Sequence, residues 1–141
     1  MNELNVQIKL ENEGRIPTYG RDGDACLDCY SNADISIPSG ERKLIGLGFS
    51  LAIPLGYEGV LRPRSGMTKN GIDVGIGTID SNYRGECKAC LINNSNATYE
   101  VKKGDRVCQL AIREMPKIAW NEVEELDSTN RNDSGFGSSG R

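Results

Sequence analysis

The stretch LIGLGFSLAIPLG, residues 44–56, places Ile45, Leu47, Phe49, Leu51 and Ile53 in strict alternation with Gly46, Gly48, Ser50 and Ala52. Side chains two apart share one face of a strand, so this period predicts a long half-buried strand that stops at Pro54-Leu55-Gly56. The same period extends in both directions. Upstream, Val6, Ile8 and Leu10 alternate with Gln7, Lys9 and Glu11, and DISI (34–37) runs into a Pro38-Ser39-Gly40 turn. Downstream follow YEGVL (57–61), IDVGIGTID (72–80), GECKACLIN (85–93), TYEV (98–101) and RVCQLAI (106–112). Turn-forming clusters at 62–66, 93–96 and 102–105 punctuate them. Helical periodicity is confined to a short turn around Met67–Asn70. The reading is an all-β fold of many short strands in a sandwich or barrel. From Asp127 onward Phe136 is the single apolar side chain among Ser, Asn, Asp and Gly. Such a tail cannot fold alone. The chain therefore divides into a β-domain at 1–126 and a flexible C-terminal tail at 127–141.

A chain of 141 residues holds one domain with one core. Its 37% hydrophobic content and mean hydropathy of −0.49 make that core modest, which favours oligomerisation. A net charge of −3 and a pI near 5.1 oppose general nucleic-acid binding, which depends on excess Lys and Arg. The opening MNELNVQIKLENEGR is charged throughout and contains no apolar run of signal-peptide or membrane-spanning kind, so a cytoplasmic protein is expected. Cys26 and Cys29, like Cys87 and Cys90, have the CxxC spacing of zinc half-sites. Both pairs nevertheless fall in strand-like segments, where residues three apart face opposite ways. They read as small buried hydrophobes in a reducing compartment.

The sequence contains no histidine and no GxxxxGK[ST] loop, so chemistry must run on carboxylates, arginines and main chain. The tail does contain GFGSSG (135–140), a G-x-G-x-x-G run, but no helix follows it to complete a dinucleotide-binding turn. Arg64-Ser65-Gly66 offers a guanidinium fork, a hydroxyl and an approachable main chain, which suits a phosphate chain or an ordinary exposed loop. Asp80 leads into a tight Ser81-Asn82 turn that Tyr83 leaves, and so reads as a hairpin in which a lone Asp more often caps its own backbone. Asp28 is either a solvated strand-end charge or a group that steers Mg²⁺ through its waters. Gln109, inside an apolar strand, needs partners for its amide.

Taken together, DACLDCYS, PRSG, GTIDSNYRGE, GDRVCQLAI and RNDSGFGSSG resemble, in order and spacing, the five motifs of trimeric dUTPases, from about Asp24 to the C-terminal end. The chain differs from the usual pattern at Cys26, Cys29, Asn82 and Cys108. The resemblance implies a jelly-roll-like β-barrel that assembles as a homotrimer with active sites shared between subunits. It implies hydrolysis of dUTP to dUMP and pyrophosphate, with Asp80 as the base for water attack on the α-phosphorus. Arg64, Ser65, Gly66 and Gln109 would bind the nucleotide from one subunit or its neighbour, and Gly77, Thr78, Ile79 and Tyr83 from another. Arg131, Phe136, Gly137, Ser138 and Ser139 would close over the site from a third. Mg²⁺ would be held mainly by the phosphates, with Asp28 reaching its waters. A dCTP deaminase of the same fold and a regulatory protein-binding role on this scaffold are the alternatives.

Overall fold

A computed structural model describes residues 2–137 and 140. Eleven strands and one five-residue helix are present among them. The strands are β1 (Gln7–Leu10), β2 (Leu27–Tyr30), β3 (Ile35–Ile37), β4 (Arg42–Gly46), β5 (Phe49–Ala52), β6 (Tyr57–Arg62), β7 (Ile72–Val74), β8 (Gly77–Ile79), β9 (Lys88–Asn93), β10 (Tyr99–Val101) and β11 (Arg106–Glu114). The helix α1 (Ser65–Lys69) falls close to the expected helical turn and buries Met67. All pairings are antiparallel. The sheets run β2-β11-β6-β8, β4-β9-β7, β1-β5 and β3-β10, an all-β architecture around a continuous core. No helix among the described residues is long and apolar enough to cross a membrane.

The alternation from Ile45 to Ile53 sorts the faces correctly, since all five apolar side chains are at most 5% exposed. The expectation of one continuous strand is overturned. Gly48 adopts φ +75°, a region that favours glycine, and the chain turns a corner there. Before it β4 pairs with β9; after it β5 pairs with β1. Gly14 packs against this corner so closely that a Cβ on it would collide with the Gly48 carbonyl. Ser50, opposite Lys9 of β1, is also buried, and its hydroxyl donates to Glu11 Oε1 at 3.1 Å. IDVGIGTID likewise splits, β7 joining one sheet and β8 another.

Cys29, Cys87 and Cys108 are core residues, while Cys26 and Cys90 are half-buried. Contact with the Cys108 thiol, then burial, drives the Cys29 thiol far above its ordinary range. Burial first, then the nearby Glu86 charge, pushes Cys87 up to about 12. Both remain protonated thiols and weak nucleophiles at neutral pH. Asn93 is fully buried and satisfied: Nδ2 donates to the carbonyls of Ile37 and Ala97, each at 2.8 Å, and Oδ1 accepts the Ser95 N–H at 2.9 Å. It organises the turn that follows β9.

The strand ladder ends with β11. Met115 donates to the Gly56 carbonyl at 2.8 Å, and residues 116–134 are exposed throughout.

Candidate active site

Asp28, Arg64 and Gln109 converge at one end of the four-stranded sheet. Thr18 and Asp28 exchange main-chain hydrogen bonds at 3.1 and 2.7 Å, so the main-chain groups of Asp28 point away from β11. The Asp28–Gln109 register pair is therefore the non-hydrogen-bonded kind, in which Cα atoms approach to about 4.5 Å. Gln109 Nε2 donates to Asp28 Oδ1 at 3.3 Å, which supplies the partner its amide requires. Arg64 Nε lies 3.7 Å from Oδ1, and Arg106 Nη1 lies 3.7 Å from Oδ2. Arg64 Nη1 also donates to the Arg106 carbonyl at 3.3 Å. Buried Asp28 thus orients two guanidinium groups whose outer faces remain in solvent.

Arg106 was not singled out from the sequence, and the reason is geometric. Positions 106 and 109 belong on opposite faces of a regular strand, but β11 carries a register shift between Arg106 and Cys108. The bulge returns Arg106 to the side of Gln109. Ser65 and Gly66 follow Arg64 in the exposed first turn of α1, where N–H groups have no partner inside the helix. One carboxylate between two guanidiniums is a net cationic cluster that suits phosphate oxygens. Among the described residues no three His, Cys, Asp or Glu side chains group to hold a metal ion, and Asp28 brings a single carboxylate to this cluster.

A second cluster surrounds a cavity of about 250 Å³ lined by Gly77, Thr78, Ile79, Asp80, Tyr83 and Glu86, among others. The Asp80 carbonyl accepts the Tyr83 N–H at 3.0 Å, closing the expected Ser81-Asn82 turn. Arg84 Nη1 braces that turn by donating to the carbonyls of Ser81 at 2.7 Å and Tyr83 at 3.1 Å. The expected hairpin is corrected: β8 pairs with β6, whereas β9 pairs with β4 and β7. As the last strand of its sheet, β8 keeps one edge of N–H and C=O groups without a ladder partner.

The two clusters do not meet within one chain. Asp28 shares a row with Gln109 and Arg62, whereas Ile79 lies opposite Gly59. Asp28 and Asp80 are thus three strand spacings of ~4.8 Å and four residues of ~3.3 Å apart, roughly 20 Å in all. In the tail, Arg131 Nε donates to the Ser134 carbonyl at 2.6 Å, Phe136 is fully exposed at φ 49°, and Gly137 has φ 93°. Ser138 and Ser139 lie outside the described residues.

A family model described as dUTPase matches residues 12–140. The chain belongs to the dUTPase family. A relative named deoxyuridine 5'-triphosphate nucleotidohydrolase in Wolbachia pipientis subsp. Culex pipiens is 48% identical over 99% of this chain and 97% of its own. One of the same name in vaccinia virus (strain Copenhagen) is 44% identical, covering 94% of this chain and 90% of its own. Among solved structures, Staphylococcus bacteriophage 80alpha dUTPase with dUpNHpp superposes with a TM-score of 0.90 at 26% identity, covering 97% and 99% of the two chains. A dUTPase from phage phi11 of S. aureus, described with a coordinated structural Mg(II) ion, gives 0.81 at 25% identity over 86% and 98%. In this dUTPase the motif residues Asp28, Arg64 and Gln109 form one cluster, Gly77 to Tyr83 form the other, and Arg131 to Gly137 contribute to neither.

Proposed function

We propose that this chain hydrolyses dUTP to dUMP and pyrophosphate at sites completed between three copies of itself. The observation that carries the reading is the Asp28-oriented pair of guanidiniums, Arg64 and Arg106, in a chain of this family. They would take the phosphate chain, with Ser65 and Gly66 beside them and Gln109 holding Asp28 in place. Mg²⁺ would arrive as the chelate of the substrate's own phosphates and neutralise part of their charge, with Asp28 within reach of its waters. Asp80 would accept a proton as water attacks the α-phosphorus. The bond from the α-phosphorus to its bridging oxygen breaks and pyrophosphate leaves. No histidine is required, because the work consists of positioning water and balancing charge.

The free edge of β8 would supply donors and acceptors for the uracil edge, and close packing of the base against that edge would crowd a 5-methyl group. Tyr83 would lie against the sugar, where a 2′-hydroxyl would be crowded or buried without a partner. A pyrophosphate-release assay over dUTP, dTTP, dCTP and UTP, with and without Mg²⁺, tests this reading. Strong Mg²⁺-dependent preference for dUTP is expected. Ammonia release from dCTP would replace it with a deaminase, and no turnover of any nucleotide would refute catalysis.

Two observations support the trimer. Clusters about 20 Å apart cannot act on one nucleotide unless a neighbour supplies one of them. In addition, Met115, Ile118, Trp120, Val123 and Leu126 are all exposed, with Trp120 at 92%. Five large apolar side chains along twelve residues would not be left in water. A groove of about 900 Å³ lined by Leu4, Val6, Ile8, Tyr57 and Ile112, among others, is a matching receptor, and a second copy of this chain is the occupant we assign. Light scattering in reducing buffer is expected to give three times the 15.4 kDa chain mass. A fully active monomer would overturn the shared site.

A further inference from the structure

The segment after the Asp80–Tyr83 turn is held to the barrel at an unexpected place, the Gly48 corner between β4 and β5. Cys87 donates to the Phe49 carbonyl at 2.8 Å and accepts the Leu47 N–H at 3.0 Å. Glu86, one residue earlier and half-buried, sends its side chain into the same corner, where Oε2 accepts the Gly48 N–H at 3.1 Å. The fit is close: a Cβ on Gly46 would stand 2.7 Å from Oε2. In the other direction, the Glu86 carbonyl accepts the Tyr83 hydroxyl at 3.1 Å. The Tyr83 ring crosses Gly85, where any side chain would collide with its hydroxyl. One residue thus links the barrel corner through its side chain to the Tyr83 ring through its main chain.

We propose that Glu86 is a positioning residue that sets the height of the Asp80–Tyr83 turn above the barrel and so the discrimination between deoxyribose and ribose. The consequence for substrate choice rests on the dUTPase reading; the mechanical link does not. A carboxylate accepting a main-chain N–H makes a charge-assisted bond, short and directional. Without it the turn keeps its internal bonds, the Asp80–Tyr83 closure and the Arg84 brace, but loses its side-chain tether to the corner. Glu86 itself is not assigned a contact with the reacting atoms.

The test compares Glu86→Gln, which keeps an acceptor oxygen at the same reach, with Glu86→Ala and Glu86→Asp, which remove it or draw it back. The measurements are kcat and KM for dUTP and UTP, thermal midpoints, and NMR of the Gly48 amide and the Tyr83 ring without nucleotide. Alanine is expected to lower the dUTP-over-UTP ratio of kcat/KM on the order of tenfold, as for a lost hydrogen bond to a charged group. Most of that loss should appear in KM for dUTP. Faster exchange of the Gly48 amide and shifted Tyr83 ring signals should accompany it. Glutamine should stay within about threefold of the parent, and aspartate should fall between the two and decide the matter if alanine does not fold. An unchanged ratio with unmoved Tyr83 signals in alanine or aspartate, accompanied only by a lower melting point, would overturn the proposal. Should the parent protein fail to turn over dUTP, the functional reading falls by itself, and the Gly48 and Tyr83 signals still decide whether Glu86 holds the turn.

Discussion

Replacing Asp80 with asparagine is expected to lower dUTP turnover by about 10²–10⁴-fold, the usual cost of losing a general base, while affinity stays within a small factor. Asn has nearly the same volume and is equally at home in a tight turn, so the Asp80–Tyr83 closure survives the exchange. What disappears is the ability to take a proton. Asp80 is exposed at the end of β8, and no hydrogen bond to another residue engages its carboxylate among the described residues, leaving it free for a water molecule. The chain has no imidazole to substitute for it. Single-turnover measurement of pyrophosphate release is the right check, because it separates the chemical step from product release. Near-parental rates in the variant would remove Asp80 from the role.

Truncation after Leu126 is expected to leave a folded trimer with little turnover, and Phe136→Ala a milder version of the same defect. The truncation keeps the apolar segment from Met115 to Leu126 that we assign to subunit contact. Among the described residues it removes, the hydrogen bonds are local, such as Ser134 N–H to the Arg131 carbonyl at 3.1 Å and Thr129 N–H to Asn132 Oδ1 at 3.0 Å. Fifteen residues extend to roughly 50 Å at ~3.3–3.6 Å each, more than twice the ~20 Å between the two clusters. The tail can therefore reach a site on a neighbour. In the proposed reading the glycines of GFGSSG would allow close approach to phosphates, and the tail would order when nucleotide contacts offset the entropy cost. Phe136 stacking on uracil would contribute on the order of 1–3 kcal/mol, and Arg131 would pair with the outermost phosphate. Closure would exclude water and align the triphosphate, so its loss should reach the chemical step as well as binding. Refolding truncated chains together with Asp80→Asn chains provides the decisive measurement. If one site takes its turn from one chain and its tail from another, some hybrids regain activity that neither parent has. Confirmed mixed trimers without recovery would show that the tail serves its own subunit or none.

Side-chain period is a local property, and what depends on it was legible in the sequence. The alternation from Ile45 to Ile53 identified which side chains face the core, the turn residues after Asp80 identified a tight turn, and the motif order identified the family. Pairing is not local. The φ of +75° at Gly48 breaks the predicted strand without disturbing its faces, since each half only has to find an edge, one on β9 and the other on β1. The division of IDVGIGTID between two sheets follows from the same competition for edges and undoes the expected hairpin. Arg106 was hidden because a strand period assigns it to the wrong face, and only the bulge in β11 turns it toward Asp28. Gln109, the odd amide in an apolar strand, signalled a partner; that the partner is Asp28 was decided by β2 lying beside β11 in that register. The roughly 20 Å between Asp28 and Asp80 likewise belongs to the sheet order, which no local pattern encodes. Residue types and their spacing named most of the candidate groups, whereas long-range strand pairing decided that Asp28, Arg64, Arg106 and Gln109 stand together and that Asp80 stands apart from them.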